Sequence, residues 1–434
     1  MPPRRLIGLL VGLCLAFGGL LAPPAAAAAP PAAPLANPKK PKAAPSLDLK
    51  LVASRLASLS QKKLDTTAGA VLTAAGDPVM VNDQLMVPAS TTKILTALAA
   101  IDVLGAKKTF TTKVVSAKKG RITLVAGGDP YLTSNRSTVP AKKANLTDLA
   151  AATAKSLKKS KVKKVTLTYS APLFSGPSYA PSWKKAWASY TPRIMSLTVD
   201  GGKSGSRAYT DPGLSTAKLF AKKLKAQGIK VTFAKVGSVP KGAKTIASVT
   251  SAPLGTMVRR MLRYSDNVAA ETFARHIAIK AGKAPSFAGG SAAITAWLKK
   301  QDLWGKGMKI DGGSGLSSVS KVLPSVLAKS VGLALSDPKY VDVVKGLPVA
   351  GVDGTLKNRF NDPSELAGRK VVHAKTGSLK QVNALAGYLT TVDGQVLTFA
   401  FLATHNGNYS TTAGNWLDRS ATALVTCGCS LIPG

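Results

Sequence analysis

Cysteine, histidine and acidic side chains are scarce in this sequence. Its 434 residues include three cysteines and three histidines, and 20 acidic residues stand against 59 lysines and arginines. Without clustered Cys and His ligands the chain does not resemble a zinc protein, and we predict no metal and no other cofactor. The histidines, which are His276, His373 and His405, also give little support to a Ser-His-Asp hydrolase, and no Gly-x-Ser-x-Gly turn is present.

Two of the three cysteines lie near the C-terminus with one glycine between them. Cys427 and Cys429 would be oxidised outside the cytoplasm, although a bridge across a single residue is strained. A small disulfide clasp is the favoured interpretation, and a metal site the alternative. The third cysteine, Cys14, lies in the apolar stretch near the N-terminus.

Long apolar runs are also missing, with one exception at the start of the chain. Arg4 and Arg5 precede an apolar run over residues 6–21, and small residues follow up to position 29. The run is shorter than the about 20 residues of a membrane-spanning helix, so residues 1–29 are predicted to be a cleaved signal peptide. Residues 30–45, rich in Pro, Ala and Lys, predict an extended linker. The protein is therefore expected to be extracytoplasmic, secreted and associated with the cell wall.

The shortage of acidic residues gives a formal net charge of +39. Such a charge attracts polyanions. The sequence has no basic motif interleaved with aromatics, zinc finger or recognition helix, so nucleic acid is not an expected partner. Anionic wall polymers or the phospholipid head groups of a membrane surface are the expected polyanions. The alternative is that the lysines only keep the protein soluble.

One stretch combines a polar start with a continuous apolar segment. Ser90 and Lys93 are one helical turn apart and precede residues 94–101, which are apolar apart from one threonine, as in a buried helix. A lysine at the root of such a helix is costly unless it is used, and activating a nucleophilic serine is one use. The same spacing recurs elsewhere, as at Ser156 and Lys159, so helix capping with a solvated lysine is the alternative.

Two further polar motifs follow along the chain, and each occurs once. In chain order the three motifs are Ser90-Thr91-Thr92-Lys93, Ser265-Asp266-Asn267 and Lys375-Thr376-Gly377. Together they are the signature of class A β-lactamases and penicillin-binding proteins, which use a serine acyl-enzyme. Each motif alone has an ordinary structural explanation, but three in this order in an exported protein favour catalysis.

Four longer segments narrow the resemblance. They are residues 126–130 (AGGDP), 261–271 (MLRYSDNVAAE), 311–317 (DGGSGLS) and 373–378 (HAKTGS). On these segments the chain resembles the class C low-molecular-mass penicillin-binding proteins, D-alanyl-D-alanine carboxypeptidases and endopeptidases that trim bacterial peptidoglycan. The resemblance runs from about residue 47 to the C-terminus. It implies peptidoglycan stem peptides as substrates and β-lactam antibiotics as acylating ligands.

The resemblance also implies the fold and its division into domains. The expected class is α/β (α+β), with a penicillin-binding-protein/β-lactamase-like transpeptidase domain whose antiparallel sheet is flanked by helices. An inserted α/β accessory domain splits it. The boundaries that we predict place the catalytic domain at residues 46–107 and 248–434 and the accessory domain at residues 108–247.

Site roles follow from the resemblance, motif by motif. Neutral Lys93 would take the proton of Ser90 as it attacks the carbonyl, and the nearby cation Lys375 would supply part of the lowering of the pKa of Lys93. Ser265 would relay the proton to the leaving D-alanine. Asn267 would hydrogen-bond the substrate amide and fix Lys93.

The third motif is expected to bind substrate. Lys375 and Thr376 would hold the terminal carboxylate, and Gly377 would leave room for the substrate backbone. The backbone amides of Ser378 and Ser90 would form the oxyanion hole.

Two other functions remain open at this point. A β-lactamase needs a glutamate for deacylation; the glutamates between the second and third motifs are Glu271 and Glu365, and neither has the E-x-x-L-N context of class A enzymes. A catalytically idle wall-binding protein would use its charge alone, but the complete set of motif residues argues against degeneracy. Carboxypeptidase and endopeptidase action are not distinguished.

Local patterns also predict individual elements. Residues 69–73 and 78–81 predict a hairpin, and residues 385–391 and 395–403 a second one around Asp393-Gly394. The apolar segment after Ser90 predicts a helix that ends near Gly105. A strand is expected over residues 368–374, leading into the Lys375 motif at a sheet edge.

Overall fold

The architecture was analysed in a computed structural model of the chain. The structure describes residues 63–184, 192–407 and 410–426, together with residues 52, 54–56 and 59. All of these belong to one compact unit, Ala44–Gly434. The predicted signal peptide and linker lie outside the described residues, as do Cys427 and Cys429.

Strands and helices are numbered here along the chain. The strands are β1 (Thr66–Thr73), β2 (Pro78–Asn82), β3 (Thr111–Lys118), β4 (Arg121–Val125), β5 (Lys164–Ser170), β6 (Lys203–Ser204), β7 (Arg207–Ala208), β8 (Lys230–Val236), β9 (Lys244–Thr250), β10 (His373–Leu379), β11 (Val382–Thr390) and β12 (Val396–Thr404). The helices are α1 (Thr92–Leu104), α2 (Leu146–Lys159), α3 (Pro212–Ala226), α4 (Leu254–Tyr264), α5 (Asn267–Lys280), α6 (Phe287–Lys300), α7 (Pro324–Ser336), α8 (Val341–Val344) and α9 (Ser410–Val425).

The first sheet joins both ends of the described chain. Its strand order is β10-β11-β12-β1-β2 and all neighbours are antiparallel. Both predicted hairpins are confirmed, as β1–β2 and β11–β12. β10, which carries the Lys375 motif, is at the edge of the sheet as expected. At its start the amide of Ala374 donates to the carbonyl oxygen of Pro348 at 2.9 Å, so the outer side of the strand is open only beyond that residue.

Alternating side chains bury both faces of this sheet. Ala400 and Leu402 face the core that contains α1 and the central helices, whereas Phe399 and Phe401 face the core closed by α9. The sheet is therefore a middle layer between helices, and α1 is buried because it packs among several of them. This agrees with the predicted fold class.

The second sheet is mixed and is formed by residues between β3 and β9. Its order is β8-β5-β4-β3-β9, with parallel pairs at β4–β5 and β5–β8. Helices α2 and α3 cover it and share a separate hydrophobic core with it. This arrangement agrees with the α/β class expected for this part of the sequence, but β9 was not predicted. The domain boundaries at 108 and 247 stay a prediction.

One predicted strand is misplaced. The strand expected over residues 368–374 begins only at His373 and continues through the motif to Leu379. The preceding segment is instead a 3₁₀ turn, Pro363–Gly368, which is capped by the side chain of Asp362. Lys370 then has a φ of 63°, a value that no strand residue adopts.

Three helices, α6, α7 and the four-residue α8, were not predicted. α6 contains the pair Gly289 and Gly290, which disfavours a helix in isolation but is required by packing. A Cβ at Gly289 would overlap the carbonyl oxygen of Ala284, and one at Gly290 would lie 3.0 Å from the Cβ of Ala274 on α5. Tertiary contacts thus override local propensity at this helix.

Candidate active site

Ser90 lies in a tight turn at the base of the central helix. The turn is the 3₁₀ segment Ala89–Thr91, and α1 follows directly. Ala89 is fully buried with a φ of 46°, a strained value for a residue with a Cβ. Ser90 does not cap the helix as the structural alternative supposed, because neither this turn nor α1 has a side-chain cap bond. Its hydroxyl is left for another partner.

That partner is Lys93, whose side chain is fully buried. Its Nζ donates to Ser90 Oγ at 2.8 Å, to Asn267 Oδ1 at 2.6 Å and to the carbonyl oxygen of Ser314 at 2.7 Å. Three acceptors satisfy the three hydrogens of an ammonium group. The amine is therefore fixed in one position beside the serine hydroxyl.

The environment of Lys93 changes its protonation. Burial lowers the pKa of Lys93 from 10.5 to about 7, against the opposing effect of the carboxylates of Glu271 and Asp266. An amine with this pKa is neutral in a large fraction of molecules near neutral pH. It can then accept the proton of Ser90, which a lysine with an ordinary pKa cannot do at this pH.

The second motif forms the connection between α4 and α5. Ser265 has a φ of 56° and ends α4 in the left-handed conformation, and Asp266 caps α5 by accepting from the amide of Ala269. This short reversal directs Asn267, the first residue of α5, to Lys93. Among the hydrogen bonds of the described residues, none joins Ser265 to Ser90 or Lys93.

The third motif packs directly against the serine turn. A Cβ at Gly377 would lie 2.8 Å from the carbonyl oxygen of Pro88 and 3.1 Å from the amide nitrogen of Ser90. Only glycine permits this approach of β10 to the turn. Next along the strand, Thr376 Oγ1 donates to Thr355 Oγ1 at 2.8 Å, whereas Ser378 is exposed.

Lys375 is the second fully buried lysine of the site. Its Nζ donates to the carbonyl oxygen of Thr376 at 2.7 Å. Burial, together with the positive charge of Lys93, holds the pKa of Lys375 well below 10.5. This corrects one detail of the sequence interpretation: burial is the main cause of the lowered pKa of Lys93, rather than a neighbouring cation. The positive charge of Lys93 contributes to the lowered pKa of Lys375.

A glycine loop that the motif search did not assign completes the site. The loop consists of Gly312, Gly313, Ser314 and Gly315. A Cβ at Gly315 would overlap the carbonyl group of Ala89. Gly313 accepts a hydrogen bond from Thr96 on α1 at 2.7 Å. The loop thus lies against the serine turn and presents the Ser314 carbonyl to Lys93. Its glycine pattern was visible in the sequence, but the use of a backbone oxygen was not.

Glu271 connects this loop to α5. Its Oε1 accepts from the amide of Ser314 at 2.9 Å, and its Oε2 lies 4.0 Å from Nη1 of Arg275. Both side chains are buried. Glu365, in contrast, lies beside Arg419 at 3.7 Å. Within the described part of the chain, neither glutamate hydrogen-bonds Ser90, so neither is placed as a deacylating base.

The three histidines have structural surroundings. His276 Nε2 pairs with the carbonyl oxygen of Gly128 at 2.9 Å, and His405 Nε2 with Asn383 Oδ1 at 3.0 Å. His373 stacks on Tyr388 with ring centroids 4.8 Å apart. No hydrogen bond between described residues connects any of them to Ser90, which argues against a Ser-His-Asp hydrolase.

Comparison with known proteins agrees with this geometry. The sequence matches the D-Ala-D-Ala carboxypeptidase 3 (S13) family over residues 55–210 and 196–424. The chain belongs to this family. Family members are serine peptidases, and the protein is accordingly a hydrolase of the D-alanyl-D-alanine carboxypeptidase type.

Two mycobacterial carboxypeptidases match this chain over most of its length. The chain is 34% identical over 366 residues to a carboxypeptidase of Mycobacterium tuberculosis, which covers 80% of this chain and 77% of that protein. It is 34% identical over 401 residues to carboxypeptidase DacB of Mycolicibacterium smegmatis, with 88% and 82% covered.

A solved protein structure has the same fold as this chain. Penicillin-binding protein 4 of Haemophilus influenzae superposes with a TM-score of 0.72 at 21% identity, covering 86% of this chain and 98% of that one. At this identity the similarity shows the fold alone. Together with the S13 family match and the mycobacterial DacB relative, the shared fold supports the interpretation of the chain as a class C penicillin-binding protein.

Proposed function

We propose that this carboxypeptidase works through an acyl-enzyme on Ser90 and that its substrates are the stem peptides of peptidoglycan. The observation that carries the proposal is the hydrogen bond of 2.8 Å between Ser90 Oγ and a Lys93 amine whose pKa is about 7. A hydroxyl beside a buried amine that can be neutral is an activated nucleophile. The family match supplies the substrate class.

In the proposed acylation step, each of the motif residues has a role. Lys93 takes the Ser90 proton as the oxygen attacks the carbonyl between the two terminal D-alanines. The backbone amides of Ser90 and Ser378 stabilise the oxyanion of the tetrahedral intermediate. Ser265 relays the proton from Lys93 to the amine of the leaving D-alanine, so that Lys93 is neutral again, and Asn267 positions Lys93 and the substrate amide. Water then hydrolyses the ester.

Substrate binding itself assists the base. Lys375, Thr376 and Gly377 receive the terminal carboxylate and the adjoining backbone along β10. A bound carboxylate favours the protonated form of Lys375, and this positive charge favours the neutral form of Lys93. The base is thereby activated when substrate is present. Penicillins, which carry a comparable carboxylate, would acylate Ser90 by the same route.

We also propose where the enzyme works. The described residues include no helix that is long and apolar enough to cross a membrane. The N-terminal 29 residues act as an export signal, residues 30–45 as a linker, and the lysine-rich surface binds anionic wall polymers or the membrane surface. Residues 108–247 form an accessory domain inserted into the catalytic domain of residues 46–107 and 248–434. Its support is the separate core of the second sheet.

Replacement of Ser90 tests the nucleophile. We expect Ser90→Ala to abolish covalent labelling by a fluorescent penicillin and release of D-alanine, because no other hydroxyl pairs with Lys93 among the described hydrogen bonds. Salt-sensitive binding to isolated cell walls should remain. Ser156→Ala is the matched control, since Ser156 has the same spacing to a lysine but lies on α2.

The result that contradicts the proposal is persistent labelling of Ser90→Ala. Rapid turnover of nitrocefin by the wild-type protein would instead favour a β-lactamase. The geometry predicts slow turnover, because Oε1 of Glu271 already accepts the Ser314 amide.

A further inference from the structure

Positive charge is concentrated at one end of the second sheet. Residues 108–247 contain no glutamate, and their lysines and arginines far outnumber their aspartates. We call one group of exposed cations the basic end of the sheet; it consists of Lys118, Lys119, Arg121, Lys158, Lys159, Lys161, Lys163, Lys164, Lys225, Lys230 and Lys244. The mechanism above uses none of them.

The directions of the strands bring these cations together. β4, β5 and β8 are parallel, so their first residues, Arg121, Lys164 and Lys230, lie at the same end of the sheet. β3 is antiparallel to β4 and pairs its last residue, Lys118, with Arg121. β9 is antiparallel to β3 and begins at this end with Lys244. Every strand of the sheet therefore has a cation at the basic end.

The helices that cover the sheet add further cations. α2 ends at Lys159 and β5 begins at Lys164, so the last turn of α2 lies at the basic end. The last turn of α3, which contains Lys225, lies there as well, because β8 follows it closely. Lysines in these turns compensate the helix dipoles. That effect does not account for the cations on the strands and in the turn between β3 and β4.

Acidic residues of the same stretch lie at the opposite end of the sheet. Asp148 is in the first turn of α2, and Asp211 caps the start of α3. Asp129 follows β4, and Asp200 accepts a hydrogen bond from the amide of Ser134, which also follows β4. Among the described residues, no carboxylate forms an ion pair with the basic end. Its positive charge is therefore available to a partner.

The basic end points away from the catalytic site. β3 begins at Thr111 and β9 ends at Thr250, and this pair of residues connects the sheet to α1 and α4 at the opposite end. β4 is five residues long, so roughly 17 Å separate the basic end from that junction. A partner bound at the basic end would not cover Ser90.

The chemistry of the basic end selects among polyanions. Val162 and Ile229, which lie between its cations, are buried, and no described large hydrophobic side chain is exposed there. Helices that bind membrane surfaces combine cations with aromatic or aliphatic side chains that enter the lipid. Residues 118–121, 158–164 and 225–230 also contain no aromatic side chain on which nucleic-acid bases could stack. A flexible polymer with closely spaced charges fits this surface best.

We propose that the basic end binds a linear anionic polymer of the cell wall and holds the enzyme on the wall while Ser90 stays accessible. The proposal rests on the extracytoplasmic location in the proposed function. The five strands together span roughly 19 Å, so several successive anionic groups of one polymer chain can be bound. A cavity of about 480 Å³ lined by Lys225 and Lys230 can receive one of these groups.

Two variants of equal net charge test whether the position of the cations matters. The basic-end variant combines Lys158→Gln, Lys161→Gln, Lys163→Gln and Lys164→Gln. The control variant removes the same number of exposed lysines outside the second sheet and combines Lys280→Gln, Lys283→Gln, Lys306→Gln and Lys329→Gln. The probe is long-chain inorganic polyphosphate, and its Kd is measured by titration at several salt concentrations.

The basic-end variant should raise the Kd for polyphosphate at least about 10-fold, and the control variant less than about 3-fold. The slope of log Kd against log salt concentration should decrease by about one for each contact that is lost. An equal increase of the Kd in both variants would show that only the net charge matters and would overturn the proposal. Binding of the wild type to phosphatidylglycerol vesicles but not to polyphosphate would also overturn it.

Sedimentation with isolated cell walls tests the source of the polymer. Wild-type protein should sediment with intact walls and much less with walls from which the anionic polymers have been extracted; unchanged sedimentation contradicts the proposal. Thermal melting and penicillin labelling of Ser90 verify that both lysine variants are folded. Ser90→Ala should bind polyphosphate as tightly as the wild type, so failure of the proposed nucleophile is distinguishable from failure of the basic end.

Discussion

Lys93 and Lys375 are two buried amines in one small site, where a full positive charge on both would be unfavourable in free energy. Burial lowers the pKa of each, and the opposing carboxylate of Glu271 keeps that of Lys93 near 7 rather than lower. Glu271 thus has two effects, because it also holds the Ser314 loop against Lys93. The protonation state of Lys93 therefore depends on a fully buried residue outside the three motifs.

The rate of penicillin acylation should therefore depend on pH through Lys93. The pKa of Lys93 is lowered from 10.5 to about 7, so the neutral amine that acts as base increases as pH rises through 7. Stopped-flow measurement of acylation from pH 5 to 9 should show a rate that increases with pH and has a midpoint near 7. A rate that is flat or falls over this range would contradict Lys93 as the base.

Glu271→Gln provides the control for this assignment. Its amide oxygen can still accept from Ser314, but the negative charge is gone, so the pKa of Lys93 and the midpoint should decrease. Thermal melting is measured in parallel, since Arg275 loses its buried partner.

At the scale of elements, three segments must meet without space between them. The serine turn is contacted by β10 through Gly377 and by the glycine loop through Gly315. In both places the backbone of one segment takes the position that a side chain would need. The site is therefore held together by backbone contacts between distant segments, and a methyl group at either glycine forces them apart.

Gly377→Ala should separate β10 from the serine turn. The added methyl would lie 2.8 Å from the Pro88 carbonyl oxygen and 3.1 Å from the Ser90 amide nitrogen, which the proposed oxyanion hole uses. We expect acylation by penicillin to slow by about 10²-fold or more, the size of effect seen when an oxyanion donor is lost. Circular dichroism should show an unchanged fold.

The matched control is Gly332→Ala on α7, where nothing lies within 4 Å of the added Cβ. This variant should keep full acylation and gain slightly in stability, because alanine favours the helix. Equal acylation rates in the two variants would show that the close approach at Gly377 is unimportant.

At the scale of the whole molecule, His276 connects helix α5 to segments that flank the second sheet. This residue is on α5, and its Nε2 pairs with the carbonyl oxygen of Gly128 in the segment that follows β4 of the second sheet. Its ring stacks on Phe110 with centroids 4.1 Å apart. Desolvation lowers the pKa of His276 to about 4, so the folded protein favours the neutral ring. Protonation at this junction opposes folding.

Stability should therefore fall in acid because of His276. The folded pKa of about 4 is below the unfolded value of 6.5, so its stabilising effect is complete above pH 6.5 and is lost as pH falls toward 4. Between pH 7 and 4.5 the loss in unfolding free energy from this residue should be about 2–3 kcal/mol. Denaturant unfolding of wild type and His276→Gln at both pH values measures it.

His276→Gln should be less stable than the wild type at pH 7, because it loses the contacts with Gly128 and Phe110. Its free energy of unfolding should, however, change less with pH than that of the wild type. A pH dependence equal to that of the wild type would show that His276 is not the titrating group.

The sequence alone was sufficient to identify the motifs, the family resemblance, the two hairpins and the helix after Ser90. These features depend on residues that are close along the chain, such as the spacing of Ser90 and Lys93 or the apolar segment that follows them. The edge position of β10 was also predicted. Local patterns failed where packing decides the structure, as in α6, whose glycines fit against neighbouring backbone.

Only the tertiary structure decided what Lys93 can do. Its three acceptors come from positions 90, 267 and 314, and the burial that lowers its pKa depends on the packing of α1 among other helices. The roles of the Ser314 carbonyl and of Glu271 likewise depend on which distant segments meet. A sequence specifies the chemical groups, but protonation and binding depend on solvent exclusion and distance, which arise only when the chain folds.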